Sequence, residues 1–239
     1  MTDTIISRRN LLSLMAVGTA STLASCASPG PATRGYSIIY REGATQVVDP
    51  SLGPGNSELD VMYGQIADGG FVIPAVPYQK IPSRFYRQRV SNTTGQPAGT
   101  VVVDTKSRFL YLTEAGGTAM RYGVGIGREG FAWQGEGVIQ WRQRWPKWTP
   151  PDEMIARQPE LISYSAKNGG MQPGLRNPLG ARALYIFQNG QDTLYRLHGS
   201  PEWNSIGKAV SSGCVRLMNQ DIIDLFDRVP EKARVVVWQ

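Results

Sequence analysis

Two apolar runs on either side of a short polar gap form the most legible pattern in the chain. Val101-Val102-Val103-Asp104 and Phe109-Leu110-Tyr111-Leu112-Thr113 flank the polar stretch 105–108, as two strands of a hairpin would. Residues 119–126 read as a third strand, ended by Gly127. Residues 183–187 and 193–197 flank a turn over 188–192 and predict a second hairpin, with His198 at the end of its second strand. Apolar positions then switch to helical spacing through Ile222, Leu225 and Phe226. This predicts a helix with Asn219 as its N-cap and Pro230 just beyond its end. Residues 235–238 close the chain as a strand.

The region before Gly99 is less regular. Short apolar pieces such as Ile38-Ile39-Tyr40 and Phe71-Val72-Ile73 are separated by Gly and Pro, with a helix predicted near Ser57 to Tyr63. Asp152-Glu153, after Pro150-Pro151, reads as the acidic first turn of another short helix. Many short strands with one or two short helices predict a mainly β domain, built as a sandwich or a barrel-like sheet. The 27 Gly and 16 Pro among 239 residues fit strands and turns better than a helical bundle.

The N-terminus follows a different pattern. Ser7-Arg8-Arg9-Asn10 sets two arginines directly before the apolar stretch Leu11 to Ala24, the layout of a twin-arginine export signal. An ordinary secretory signal with paired arginines is the alternative, and both send the protein out of the cytoplasm. The stretch is shorter than the roughly 20 apolar residues of a transmembrane helix. Leu23-Ala24-Ser25-Cys26 resembles a lipobox, which makes Cys26 a candidate lipidation site and membrane anchor. Cleavage after Ala27 is the competing reading. The expected organisation is an export signal over 1–27, a tether and N-terminal extension over 28–97, and a catalytic domain over 98–239, acting in the periplasm.

Composition narrows the chemistry. The formal net charge of +6 suits several anionic partners. No run of basic residues or zinc-finger spacing accompanies it, so nucleic acid is not an expected partner. With two cysteines and one histidine, a His/Cys metal centre lacks ligands, and neither metal nor cofactor is expected. A nucleophile and its base need only one of each. Cys26 falls in a segment expected to be cleaved or modified, so a Cys26–Cys214 disulfide is disfavoured and Cys214 remains as the candidate nucleophile. His198 is the sole imidazole available as its base. Gly213 permits a tight turn before the cysteine, and Arg216 could hold a carboxylate. Each of these residues also has an ordinary structural use, and spacing alone leaves the choice open. The tryptophans Trp141, Trp145 and Trp148 read as packing beneath a loop, with sugar stacking as the alternative.

His198-Gly199, followed by Ser211-Ser212-Gly213-Cys214-Val215-Arg216, resembles the signature of the L,D-transpeptidase catalytic domain, the YkuD-like family. The hairpin over 99–112 and the blocks Tyr122-Gly123-Val124-Gly125-Ile126-Gly127, Trp148-Thr149-Pro150-Pro151 and Asn177-Pro178-Leu179-Gly180-Ala181-Arg182-Ala183 extend the resemblance over residues 98–239. It implies a mainly β fold and acyl transfer on peptidoglycan stem peptides. Cys214 would attack the carbonyl of the third residue of a tetrapeptide and release the terminal D-Ala. His198 would be the base, and Gly199 would orient it. Ser211, Ser212, Gly213 and Arg216 would shape the loop and contact substrate. Many members carry a second histidine where this chain has Ser212, which leaves His198 alone in that role. The acyl acceptor could be a stem amine, a lysine of a wall-anchored lipoprotein, or water, the last making the protein a hydrolase. A wall-binding lipoprotein with a vestigial site is the non-enzymatic alternative.

Overall fold

The computed structural model describes residues 37–41, 44–48, 57–127, 134–211 and 213–239. The export signal, the lipobox with Cys26, the tether and Ser212 lie outside the described residues. No helix among the described residues is long and apolar enough to cross a membrane.

Strands β1 (Ser37–Arg41) and β2 (Ala44–Val48), the helix α1 (Ser57–Met62), and strands β3 (Gln65–Asp68) and β4 (Phe71–Ile73) come first. The four strands form an antiparallel sheet in the order β1-β2-β3-β4. Then follow β5 (Gln88–Ser91), β6 (Val101–Asp104), β7 (Phe109–Thr113), β8 (Thr118–Gly123), β9 (Ile126–Gly127) and β10 (Gly135–Arg144). A long excursion containing α2 (Asp152–Arg157) leads to β11 (Arg182–Gln188), β12 (Gln191–Ser200), β13 (Ala209–Ser211) and β14 (Val215–Met218). Helix α3 (Asn219–Arg228) and β15 (Arg234–Trp238) complete the chain.

Nine of these strands form one sheet, ordered β14-β12-β11-β10-β15-β6-β7-β8-β5. Its central strands β6 and β15 are buried on both faces, and apolar side chains from both halves of the sheet meet in one large core. Leu110 and Leu112 of β7 share that core with Leu197 of β12 and Leu217 of β14. A flat sheet keeps such distant strands apart, so the sheet curls round. Just after β8 the chain touches the opposite edge. Gly125 N–H donates to Arg216 O at 2.9 Å, and Arg216 N–H donates to Gly125 O at 2.8 Å. Next to this seam β9 pairs with β13 in parallel. The architecture is therefore mainly β and barrel-like, with few helices.

Helix α3 lays Ile222, Leu225 and Phe226 on the same core, the stripe its spacing predicts. Its start differs from expectation. Met218 is the N-cap residue, and β14 runs into the helix without a loop, so Asn219 already lies in the first turn. The Asn219 amide is used elsewhere: its Oδ1 accepts the Ala181 N–H at 2.9 Å and ties the start of α3 to the segment before β11.

The expected third strand, 119–126, is two elements. β8 ends at Gly123, and residues 124–125 turn away to make the seam before β9 begins. Strand β10 was not expected from the pattern, yet it sits inside the sheet between β11 and β15. The stretch before residue 98 is bound closely to the rest. β5 adds an edge strand beside β8, and Asp68 on β3 forms a doubly hydrogen-bonded ion pair with Arg182 on β11, both contacts 2.7 Å. Trp145 Nε1–H donates to the same carboxylate at 2.8 Å. All three side chains are buried, and the Asp68 carboxylate compensates the Arg182 charge and accepts the indole hydrogen, although Arg182 Nε has no hydrogen-bond partner.

Candidate active site

The candidate residues gather where β12, β14 and the seam meet. β12 and β14 are parallel neighbours, with His198 opposite Arg216 and Leu197 opposite Val215. Leu197, Val215 and Leu217 point into the core, so the alternating residues Arg196, His198 and Arg216 face the other way. Cys214 precedes β14 by one residue, and the ladder extended by one step sets it beside Arg196. Its Sγ donates toward the Leu194 carbonyl oxygen at 3.9 Å, and the Arg196 backbone N–H favours its thiolate. The sulfur thus lies against β12, two residues from the imidazole along that strand.

Two local features bring the sulfur there. Gly213 has φ +127°, a conformation that L side chains rarely adopt, and this turns the chain out of β13 into Cys214. The seam contact of Arg216 with Gly125 then fixes where β14 begins.

His198 is buried, and its Nδ1 lies 2.6 Å from the Gly199 carbonyl oxygen. A carbonyl only accepts, so Nδ1 carries the hydrogen and Nε2 keeps its lone pair. The backbone around Gly199 has no spare room. A Cβ there would stand 2.3 Å from Asn219 Oδ1 and 2.9 Å from Ile222 Cγ2. Glycine is required because α3 crosses directly over it.

Burial dominates the electrostatics. It pushes the His198 pKa down to about 4, aided by the guanidiniums of Arg216 and Arg196, while the carbonyls of Gly199 and Pro178 favour the protonated ring. Burial raises the Cys214 pKa, and the Arg196 N–H with the same two guanidiniums pulls the other way. Sulfur and imidazole therefore share an environment in which both are neutral at rest. Arg196 is itself held by Asp192 through contacts of 2.6 and 2.7 Å, and Arg216 by Glu202 at 2.7 Å.

Ser211 ends β13, beside Gly127 of β9. Arg216 flanks the imidazole across the ladder. Three contributors were not singled out from the sequence. Arg196 shares its face with His198 because it lies two residues earlier on the same strand, a signal available from the period alone. Pro178 brings its carbonyl to the imidazole in a loop anchored by Asn177. The Asn177 amide donates to Pro146 O at 2.9 Å and accepts the Leu179 N–H at 2.9 Å. Asn219 holds the next residues of that loop, and no local pattern signals such a contact.

The three tryptophans have separate surroundings. Trp145 is buried, with its ring 4.2 Å from Phe71. Trp148 pairs its backbone with Met171, and its ring lies 6.4 Å from Tyr164. Trp141 is exposed and stacked on Tyr185.

Comparison with known proteins gives this geometry a family. A probable L,D-transpeptidase, ErfK/SrfK, of Escherichia coli K12 is 34% identical over 146 residues, which are 58% of this chain and 43% of that protein. The alignment thus spans less than half of that relative's length. A Brucella melitensis structure described as a probable carnitine operon oxidoreductase caia is 42% identical, covering 64% of this chain and 94% of that one, with TM-score 0.45. An L,D-transpeptidase structure from Mycobacterium smegmatis is 13% identical, covering 73% and 66%, with TM-score 0.43. The family model of the L,D-transpeptidase catalytic domain matches residues 98–237, more than half of the sequence. The chain belongs to the YkuD family of L,D-transpeptidase catalytic domains.

Proposed function

We propose that the protein is an L,D-transpeptidase acting on the tetrapeptide stems of peptidoglycan through a thioester on Cys214. The observation that carries this reading is the shared position of sulfur and imidazole along β12, both neutral and both under Arg196 and Arg216. As Sγ attacks the carbonyl carbon of the third stem residue, its proton passes to His198 Nε2. The tetrahedral intermediate collapses with cleavage of the C–N bond, and the imidazolium returns the proton to the departing D-Ala nitrogen. A thioester remains. An incoming amine then attacks it, gives its proton to His198, and the C–S bond breaks; the proton goes back to sulfur. The net change is one amide exchanged for another.

A neutral resting pair suits this sequence of proton transfers. Sulfur keeps its proton until substrate is bound, which protects a lone thiol in an oxidising compartment. Arg216 is a candidate partner for a substrate carboxylate, which would exchange with Glu202. Gly199 supports the base through its carbonyl, and Ser211, Ser212 and Gly213 belong to the loop that presents Cys214.

Release of D-Ala from a tetrapeptide by purified protein tests the reading. Cys214→Ala and His198→Ala should each lower the rate by at least about 10³-fold, the scale of losing a nucleophile or its base. No release by the wild type, or release that survives Cys214→Ala, would refute it. Muropeptide profiles identify the acceptor: 3→3 dimers indicate a stem amine, protein-linked stems a lysine, and tripeptide monomers water. Export through the Arg8-Arg9 signal and acylation at Cys26 complete the proposal on sequence grounds. Labelled palmitate should enter the wild type and not Cys26→Ala.

A further inference from the structure

One residue row crosses three strands and ends at the candidate nucleophile, one residue before a fourth. Trp141 on β10 is opposite Tyr185 on β11, and Tyr185 is opposite Arg196 on β12. One step along the parallel ladder Leu197 faces Val215, so Arg196 faces Cys214. The side chains are in contact along the first part of the row. The Trp141 and Tyr185 rings are stacked, 4.8 Å apart and 23° from parallel. The Arg196 guanidinium lies 4.4 Å above the Tyr185 ring, and the Tyr185 hydroxyl donates to Gln143 Oε1 at 3.4 Å. Tyr185 is fixed from several sides, and it holds Trp141 in turn. Yet Trp141 is 55% exposed. Packing accounts for the covered half of the indole, and the other half stands as a water-facing aromatic surface held in place by Tyr185.

We propose that Trp141, backed by Tyr185, is a stacking platform for the pyranose ring of the glycan that carries the stem peptide. This rests on the peptidoglycan reading above and adds a glycan subsite to it. Length supports the assignment. Three strand spacings of about 4.8 Å separate the Trp141 and Cys214 positions, about 14 Å. A stem reaches from its sugar to the third carbonyl through a lactyl unit and three residues. At roughly 3.4 Å per unit, that is also about 14 Å. A stem lying along the row with its third carbonyl at Sγ thus brings its hexosamine to the indole. The apolar C–H face of a pyranose suits an aromatic face, and contacts of this kind are worth about 3- to 10-fold in affinity.

The test uses full-length protein with Cys214→Ala to prevent turnover. Three probes are titrated: the tetrapeptide, the same tetrapeptide on its N-acetylglucosamine–N-acetylmuramic acid disaccharide, and the disaccharide alone. The glycan-bearing tetrapeptide should bind about 3- to 10-fold more tightly than the bare one, and Trp141→Ala should remove that difference. Trp141→Phe should restore part of it. Disaccharide alone should shift the indole N–H resonance that Trp141→Ala deletes. In the Cys214 wild-type background, Trp141→Ala should raise KM for the glycan-bearing donor and leave KM for the bare tetrapeptide unchanged. Equal affinities, an unmoved indole signal, or equal weakening of both donors would overturn the platform. Absence of D-Ala release would refute the reaction instead, because the disaccharide titration reads the platform without any chemistry.

Discussion

Gly199→Ala adds a single methyl group at the point where the His198 imidazole, β12 and α3 converge. That methyl would stand 2.3 Å from Asn219 Oδ1, 2.9 Å from Ile222 Cγ2 and 3.2 Å from Ala181 N. No neighbour yields cheaply. Asn219 Oδ1 accepts the Ala181 N–H, and moving it strands a buried donor, at a cost of about 1–3 kcal/mol. Ile222 belongs to the core beneath α3, where overpacking costs about 1–3 kcal/mol more. The two together give about 2–6 kcal/mol, or a fall in Tm of roughly 5–20 °C for a domain of this size. Gly174→Ala is the control. Its new methyl meets only Phe71, at 4.0 Å, and should leave Tm nearly unchanged.

Calorimetry of the two variants measures this cost, and D-Ala release measured well below the lowered Tm reads the second consequence. Displacing the Gly199 backbone removes the 2.6 Å contact that fixes the tautomer of His198. Activity per folded molecule should therefore fall as well. A Gly199→Ala protein melting within 2 °C of wild type would refute the close approach of α3 to this strand, and with it the way His198 is held.

Asp68→Ala should destabilise by about 3–5 kcal/mol, because it leaves the buried Arg182 guanidinium uncompensated; urea unfolding checks this, and a loss below 1 kcal/mol would separate the lead-in from the domain. Asp221 is fully buried, and burial, with the neighbouring Asp224 carboxylate, raises its pKa to about 7 although Arg87 at 3.6 Å and the Tyr63 hydroxyl pull it down. A raised carboxylate pKa makes its contribution greatest below the unfolded value and diminishes it as pH climbs to about 7. Asp221→Asn should flatten the Tm–pH curve between pH 4 and 7; an unchanged slope contradicts this. His198 has the opposite sign. Its pKa is lowered to about 4, so the unfolded chain takes up a proton first, and stability is lost as pH falls from about 6.5 towards 4. The acid limb of kcat/KM should likewise lie nearer pH 4 than 6.5 and belong to the Cys–His couple; a limb at 6.5 would place the working imidazole in water.

What the sequence revealed follows from where each signal is stored. β6 and β7 match the two apolar runs because the hairpin is local and both strands feed the core. The second hairpin was legible for the same reason, with a tighter turn at residues 189–190. β10 was hidden because Glu136, Gln140, Arg142, Gln143 and Arg144 dominate it, and the register shift between Ile139 and Trp141 breaks its alternation. An inner strand with a polar outer face resembles a loop when read one residue at a time. Residues 119–126 misled in the other direction. Their apolar run continues through Val124 and Ile126, but those residues leave β8 to close the seam. In the site, Cys214 and His198 stood out through their scarcity, and Arg196 was recoverable from strand period. Pro178 and Asn219 act through contacts made only once the chain has folded, and local pattern carries no trace of them.

The proposed function stands or falls on acylation of the Cys214 sulfur by a stem peptide. Intact-protein mass spectrometry during turnover of the glycan-bearing tetrapeptide measures this directly. An adduct equal in mass to the donor minus D-Ala is expected, located on Cys214, discharged by hydroxylamine and absent from Cys214→Ala. D-Ala release with no such adduct under rapid quenching, or with an adduct on another residue, would contradict it.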